Sequence, residues 1–299
     1  MNSTKPMHKF REIFFEYVFM FSAGISVLAL VMIFVFLFAN GMPAIAEIGL
    51  MEFIFGREWR PMDASPSFGV LPMIAASIYI TLGAMVIGVP VGIFTAVFLA
   101  HMCPARLYVV LKPTVNLLAG IPSVVYGFFG IVIIVPFVRE ISLFFTGGGS
   151  GSSMLAAMIL LGIMILPTIV NISESAIRAV PRSYYEGSLA LGASHTRSVF
   201  SVVLPAAKSG VFASVILGVG RAVGETMAVV MVAGNQARMP ESIFRGGRAL
   251  TSNIVIEMGY AEGLHRDSLI ATGIVLLVFI FIINIVFTVV TRKSAPSAD

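Results

Sequence analysis

The sequence predicts an all-α integral membrane protein with six transmembrane helices and both termini on the inner face. Three observations carry this. Of 299 residues, 58% are hydrophobic and only 11% charged, against about 25% charged in a soluble domain. Six apolar runs reach the ~20 residues needed to cross a bilayer core. Basic residues are in excess in the segments that an inward N-terminus places inside.

The first run is Tyr17–Ala39, behind Lys5, Lys9 and Arg11. It is longer than the ~7–15-residue apolar stretch of a signal peptide, so it reads as a retained helix. The second is Pro72–Ala100, long enough to tilt or kink at Gly88-Val-Pro90-Val-Gly92. The third, Thr114–Val138, is interrupted at Gly120-Ile-Pro122-Ser and again at Pro136. The fourth is Met154–Ile177, with Pro167 inside; the fifth is Ser209–Asn235; the sixth is Ser268–Thr291. Proline removes a backbone donor, which a membrane bundle tolerates where neighbours satisfy the freed carbonyl. Residues 1–40 thus form an inner N-terminus and first helix, and residues 69–292 a five-helix core with an inner loop at 178–208.

The inner segments hold Lys5, Lys9, Arg11, Arg106, Lys112, Arg178, Arg182, Arg197, Lys208, Arg292 and Lys293. The outer ones hold Arg57, Arg60, Arg139, Arg238, Arg245, Arg248 and Arg266, the last four partly offset by Glu241, Glu257, Glu262 and Asp267. The inner excess is clearest at the termini and in the short Arg106 loop, giving a multi-pass protein of the prokaryotic plasma (inner) membrane, N-in and C-in.

Cys103 is the one cysteine, which excludes intrachain disulfides and Cys-rich metal sites. The four histidines are far apart and form no metal-binding pair; His101 and His195 read as residues of solvated loops. The net charge of +4 describes loops, with no aromatic-basic interleaving of a nucleic-acid surface. Thr146-Gly-Gly-Gly-Ser-Gly-Ser-Ser153 reads as a flexible outer linker. No GK[ST] phosphate loop occurs, and Gly218, Gly220 and Gly224 read as small residues that let helices pack closely.

The inner loop between the fourth and fifth helices is too long for a turn. Pro181 suits a helix start, Ser183 and Glu186 stand at capping-box spacing, and Gly192 is a natural stop. Val199, Phe200, Val202 and Val203 give a second short amphipathic piece. The two pieces form a knob suited to docking a partner. Its residues Glu186-Gly187-Ser188, Gly192, Val202 and Leu204-Pro205 keep every spacing of E-A-A, three residues, G, nine residues, I, one residue, L-P. Gly187 and Ser188 replace alanines and Val202 an isoleucine. The loop resembles the EAA loop of ABC-importer permease subunits. The resemblance implies a type I (MetI-like) permease fold. It also implies a coupling helix, with Glu186, Gly192, Leu204 and Pro205, seated on a separate ATP-hydrolysing subunit.

Two further segments narrow the family. Leu118-Ala-Gly-Ile-Pro-Ser-Val-Val-Tyr-Gly-Phe-Phe-Gly130 and Gly220-Arg-Ala-Val-Gly-Glu-Thr-Met-Ala-Val-Val-Met-Val-Ala-Gly-Asn235 resemble the PstC family of phosphate permeases. The companion family PstA is similar around Arg-Ala-x-Gly-Glu. The resemblance implies a heterodimer with a PstA-like permease, two PstB-like ATPases that use ATP and Mg, and an external PstS-like phosphate-binding protein. No cofactor is expected in this chain, which is then not itself an enzyme.

The chemistry of the fifth run agrees. A charge at mid-membrane costs about 2.5–3.5 kcal/mol on insertion scales and persists where it faces a polar pathway or a partner. Arg221 lies about 18 Å into the run at 1.5 Å per residue, near the midplane. A guanidinium stays charged when buried and matches phosphate oxygens with forked donors. Glu225 follows at i+4, on the same face of an unbroken helix, and is expected to pair with it. A buried structural salt bridge is the competing role. Asn116, Ser123 and Tyr126 are candidate pathway residues, with helix–helix hydrogen bonding as the alternative for each. Glu174 and Arg178, also i,i+4, read as a snorkelling pair at a helix end. Trp59 reads as an interfacial anchor. Alternatives are a permease for sulfate or molybdate, the companion PstA subunit, a membrane enzyme acting on lipid phosphates, and a channel. No intramembrane nucleophile or metal set supports the enzyme, and the coupling loop argues against the channel.

Overall fold

The structure, a computed structural model, describes residues 6–294. Lys5 lies outside the described residues, as do the side chains of Lys9, Arg11, Arg292 and Lys293. Helix α1 (Pro6–Ile48) is continuous over 43 residues. That is about 64 Å at 1.5 Å per residue, twice a ~30 Å bilayer core. The expected span Tyr17–Ala39 is its middle. Gly41 is where α1 approaches the last helix, since a Cβ there would come 2.8 Å from Ile274 Cδ1.

A short helix α2 (Leu50–Phe55) and a two-stranded antiparallel hairpin, β1 (Trp59–Arg60) with β2 (Ser67–Phe68), follow on the outer side. Trp59 stands opposite Phe68. With Phe53, Leu250 and Leu269 they form the apolar core of an outer cap.

Helix α3 (Leu71–Val97) runs unbroken through Pro90 into a wide π-type turn at Phe98–Met102. Gly88 and Gly92 serve close packing: added Cβ atoms would come 2.7 Å from Gly162 O and 2.8 Å from Ile169 Cγ2. Both contacts belong to α7 (Met154–Arg178). The α3–α7 pair carries Ile80, Ala84, Leu161 and Ile165 at the centre of the bundle.

The third span differs from expectation. The Arg106 segment is helical: α4 (Ala105–Gly120) carries both Arg106 and Lys112. The chain breaks at Ile121–Pro122 and resumes as α5 (Ser123–Phe129), a π-type turn and α6 (Val135–Thr146). Pro122 has no N–H to donate and disfavours helix at Ile121, which is extended at φ −70, ψ 127. The membrane segment is therefore Ser123–Phe145, and the run Thr114–Val138 straddles two helices. The Gly-Ser segment is folded, not a free linker. Ser142 Oγ donates to Gly148 O at 2.8 Å, Gly151 fits where a Cβ would meet Val135 O, and Ser153 Oγ caps α7 by accepting from Ala156 N.

On the inner side lie α8 (Arg182–Ala190), α9 (His195–Ser198), a π-type turn at Val199–Val203 and α10 (Leu204–Ala206). Helix α11 (Lys208–Gly224) leaves this arm at 70°. The Ser183–Glu186 capping box does not form. Pro181 takes the cap position, which puts Ser183 inside the helix, and no side chain caps it. Beyond α11 come α12 (Met227–Val232), α13 (Leu250–Glu257) and α14 (Gly263–Ser294). Among the described residues, five helices are long and apolar enough to cross a membrane, six if the bent α9–α11 unit is one span.

Candidate substrate pathway and coupling surface

The fifth span is broken at the residue expected to pair with Arg221. Helix α11 ends at Gly224, and Glu225 is extended at φ −72, ψ 126. Glu225 therefore does not share a helical face with Arg221, and no ion pair within 4.0 Å joins them among the described residues. Arg221 Nη1 instead reaches Thr168 Oγ1 on α7 at 3.4 Å. Glu225 Oε1 accepts from Ala228 N at 3.3 Å and so satisfies one of the free donors that open α12. Of the three glycines before the break, Gly218 packs against Ile169 as read; Gly220 and Gly224 face open space.

The other break lies in a neighbouring helix. Tyr126 OH donates to Leu118 O at 2.9 Å, capping α4 across the Ile121–Pro122 gap. Gly127 lets α5 meet α12, where a Cβ would come 2.4 Å from Met231 Sδ. Asn116 is exposed on α4 and Ser123 half-buried at the start of α5. No hydrogen bond among the described residues ties either to Arg221. Tyr126 makes a hydrogen bond between helices, one of the two roles read for it. Thr168, which holds Arg221, is not singled out by the sequence and carries no signal beyond a polar atom in an apolar run.

Glu174 and Arg178 are more than a snorkelling pair. Glu174 is 2% exposed and accepts from three donors. These are Lys112 Nζ at 2.6 Å, Arg178 Nε at 2.8 Å and Tyr108 OH at 2.9 Å. Lys112 also donates to Asn171 Oδ1 at 2.7 Å, and Arg178 Nη2 to Leu99 O at 2.7 Å. One carboxylate thus ties α4 to α7, and Arg178 ties α7 to the end of the α3 arm. The hydrogen bond to Glu174 raises the Tyr108 phenol above its ordinary value, so Tyr108 stays a donor. Sequence spacing shows only the Glu174–Arg178 part of this set.

On the inner face Glu186 is exposed on α8, Pro205 is exposed in α10 and Leu204 is half-buried. Gly192 takes φ +84, the left-handed conformation that ends α8. His101 and His195 lie in helical turns and not in loops; His195 is solvent-exposed as expected, while His101 is half-buried. His101 sits in the π-type turn after α3, its Nε2 buried with no hydrogen-bond partner among the described residues. His195 opens α9, and its Nδ1 lies 2.5 Å from Tyr185 OH. Their rings flank Tyr185 of the coupling segment.

Trp59 is not an interfacial anchor. It is 5% exposed, and its Nε1 donates to Glu257 Oε2 at 2.8 Å. His265 Nε2 lies 2.8 Å from the same oxygen, and Arg248 pairs with Oε1.

This arrangement combines an inner coupling arm, a bundle centred on two closely packed helices, and two helix breaks whose following helices, α5 and α12, pack together at Gly127. A family model described as "Binding-protein-dependent transport system inner membrane component" matches residues 88–296. The chain belongs to this family. It is a multi-pass inner-membrane permease, of a kind that works with an ATPase and a substrate-binding protein. The permease is 41% identical over 247 residues to the probable ABC transporter permease protein YqgH of Bacillus subtilis, covering 81% of this chain and 79% of that one. It is 30% identical over 300 residues to the phosphate transport system permease protein PstC of Pasteurella multocida, covering 95% and 92%. Among solved structures it resembles a chain of a bacterial alginate ABC transporter in complex with its alginate-bound periplasmic protein. The TM-score is 0.65 at 13% identity, covering 95% of this chain and 96% of that one. At that identity the likeness is one of fold: the permease has the type I ABC importer architecture.

Proposed function

We propose that this chain is the PstC-type permease of an ATP-driven inorganic phosphate importer. The observation that carries the reading is Arg221. Its guanidinium stands at the α11–α12 break, held by a threonine hydroxyl, with no carboxylate among the described residues within 4.0 Å to neutralise it. A cation at that depth is costly unless an anion or a polar pathway faces it. Phosphate is rich in acceptor oxygens that a guanidinium fork fits. The relatives named for phosphate transport support the same substrate.

In this reading Arg221 and Glu225 border the pathway, with Asn116 and Ser123 on the neighbouring broken helix. Glu186, Gly192, Leu204 and Pro205 seat the coupling arm on the ATPase. The partners are a PstA-like second permease, two PstB-like ATPases and a PstS-like phosphate-binding protein. ATP and Mg are used in the ATPase, since this chain has no phosphate loop of its own.

Uptake of labelled phosphate by the full complex, wild type against Arg221→Gln, tests the reading, with assembled complex quantified and sulfate and molybdate as competitors. Loss of uptake with normal assembly and no competition is the expected result. Uptake that survives the substitution, or that sulfate or molybdate abolishes, overturns it.

A further inference from the structure

Helix α12 has six residues, too few to hold itself in place. Groups outside it hold both ends. At its start, the Glu225 carbonyl accepts from Thr251 Oγ1 at 3.3 Å. At its end, Ser153 N donates to Val232 O at 3.0 Å and Gly247 N to Ala233 O at 2.9 Å. Asn235, left-handed at φ 50, turns its Nδ2 back to Val230 O at 2.6 Å. The carbonyl of Asn235 accepts from Arg248 Nε at 3.0 Å.

Thr251 and Arg248 belong to one short outer segment, and that segment is anchored from behind. Leu250 N donates to Ser77 Oγ on α3 at 3.0 Å, and Arg248 Nη1 reaches Asn253 Oδ1 at 3.1 Å. Arg248 also pairs with Glu257. Glu257 is 5% exposed and is held by Trp59 of the hairpin and His265 of α14. The segment grips both ends of the broken span while resting on three other elements.

We propose that Arg248–Glu257 is the positioning clamp of the pathway. Thr251 and Arg248 hold the carbonyls on either side of α12 and so set where Glu225 and Arg221 stand. Neither touches the substrate; both act through the backbone of the break. The inference rests on the reading that this break borders the pathway.

The test separates the clamp from the substrate. Cys103 is replaced by serine, and one cysteine is placed at Gly224, where a Cβ meets nothing within 4 Å. In the assembled complex, the labelling rate of Gly224→Cys by a polar thiol reagent reports the break directly. Thr251→Val removes the hydroxyl at nearly constant volume. It is expected to raise labelling and the KM for phosphate several-fold at unchanged complex yield, and Thr251→Ser to restore both. Arg248→Lys keeps the charge beside Glu257 but loses the Nε donor, and gives the same shifts if the valine variant does not assemble. Labelling and KM at parental values in both variants overturn the clamp. A labelling change in a parent complex that imports no phosphate sustains the clamp and refutes the substrate reading instead.

Discussion

Lys112 Nζ lies 2.6 Å from Glu174 Oε2, across two helices that the chain separates by 62 residues. Helix α4 buries none of its residues, so it lacks the apolar seat that fixes the other long helices. The ion pair and the Tyr108 bond supply the attachment. Glu174→Gln should lower the stability of the purified complex by about 1–3 kcal/mol, because it leaves Lys112 and Arg178 facing a neutral group while both stay partly open to solvent. The double variant Lys112→Met, Glu174→Gln should recover part of the loss. A melting series over the four proteins measures the coupling.

Arg221→Lys keeps the charge and removes the fork. A site that grips phosphate oxygens with two donors should lose affinity, while one that only sets the local field should not. The expected outcome is a KM for phosphate raised about tenfold, equivalent to about 1.4 kcal/mol, with assembly intact. A kinetic series in proteoliposomes measures it.

The membrane core and the coupling arm were legible because each has a repeated local signal. Apolar runs located the spans Met154–Arg178 and Leu71–Val97 to within a few residues, and the motif spacing located α8 and its stop at Gly192. What was illegible is non-local. Nothing near Glu257 in sequence announces that Trp59, 198 residues away, donates to it. Lys112 reads as a loop lysine until α7 is placed beside it. The break at Glu225 misled for a different reason. The segment is apolar enough to continue as helix, and the stop comes from glycines and from a carboxylate that caps the next helix instead of pairing with the last.

Gly192 tests the coupling arm. Its φ of +84 is left-handed and a Cβ there meets nothing within 4 Å, so substitution strains only the backbone. Gly192→Ala should cost about 1–2 kcal/mol and Gly192→Asn less, since asparagine enters this region more readily. Substrate-stimulated ATP hydrolysis by the complex should fall in the same order.

Gly88 tests the centre of the bundle by a different physics. Its φ is unexceptional, but a Cβ would come 2.7 Å from the Gly162 carbonyl and from Ile165. The carbonyl belongs to the backbone of α7 and cannot turn aside, so α3 and α7 must part. Gly88→Ala should therefore destabilise by about 1–3 kcal/mol, the usual range for overpacking. Gly220→Ala, where a Cβ meets open space, should be neutral or slightly stabilising in helix α11 by the ordinary alanine preference. Melting temperatures of the two complexes separate the cases. Equal melting temperatures would mean that the α3–α7 contact has enough slack to take a methyl group.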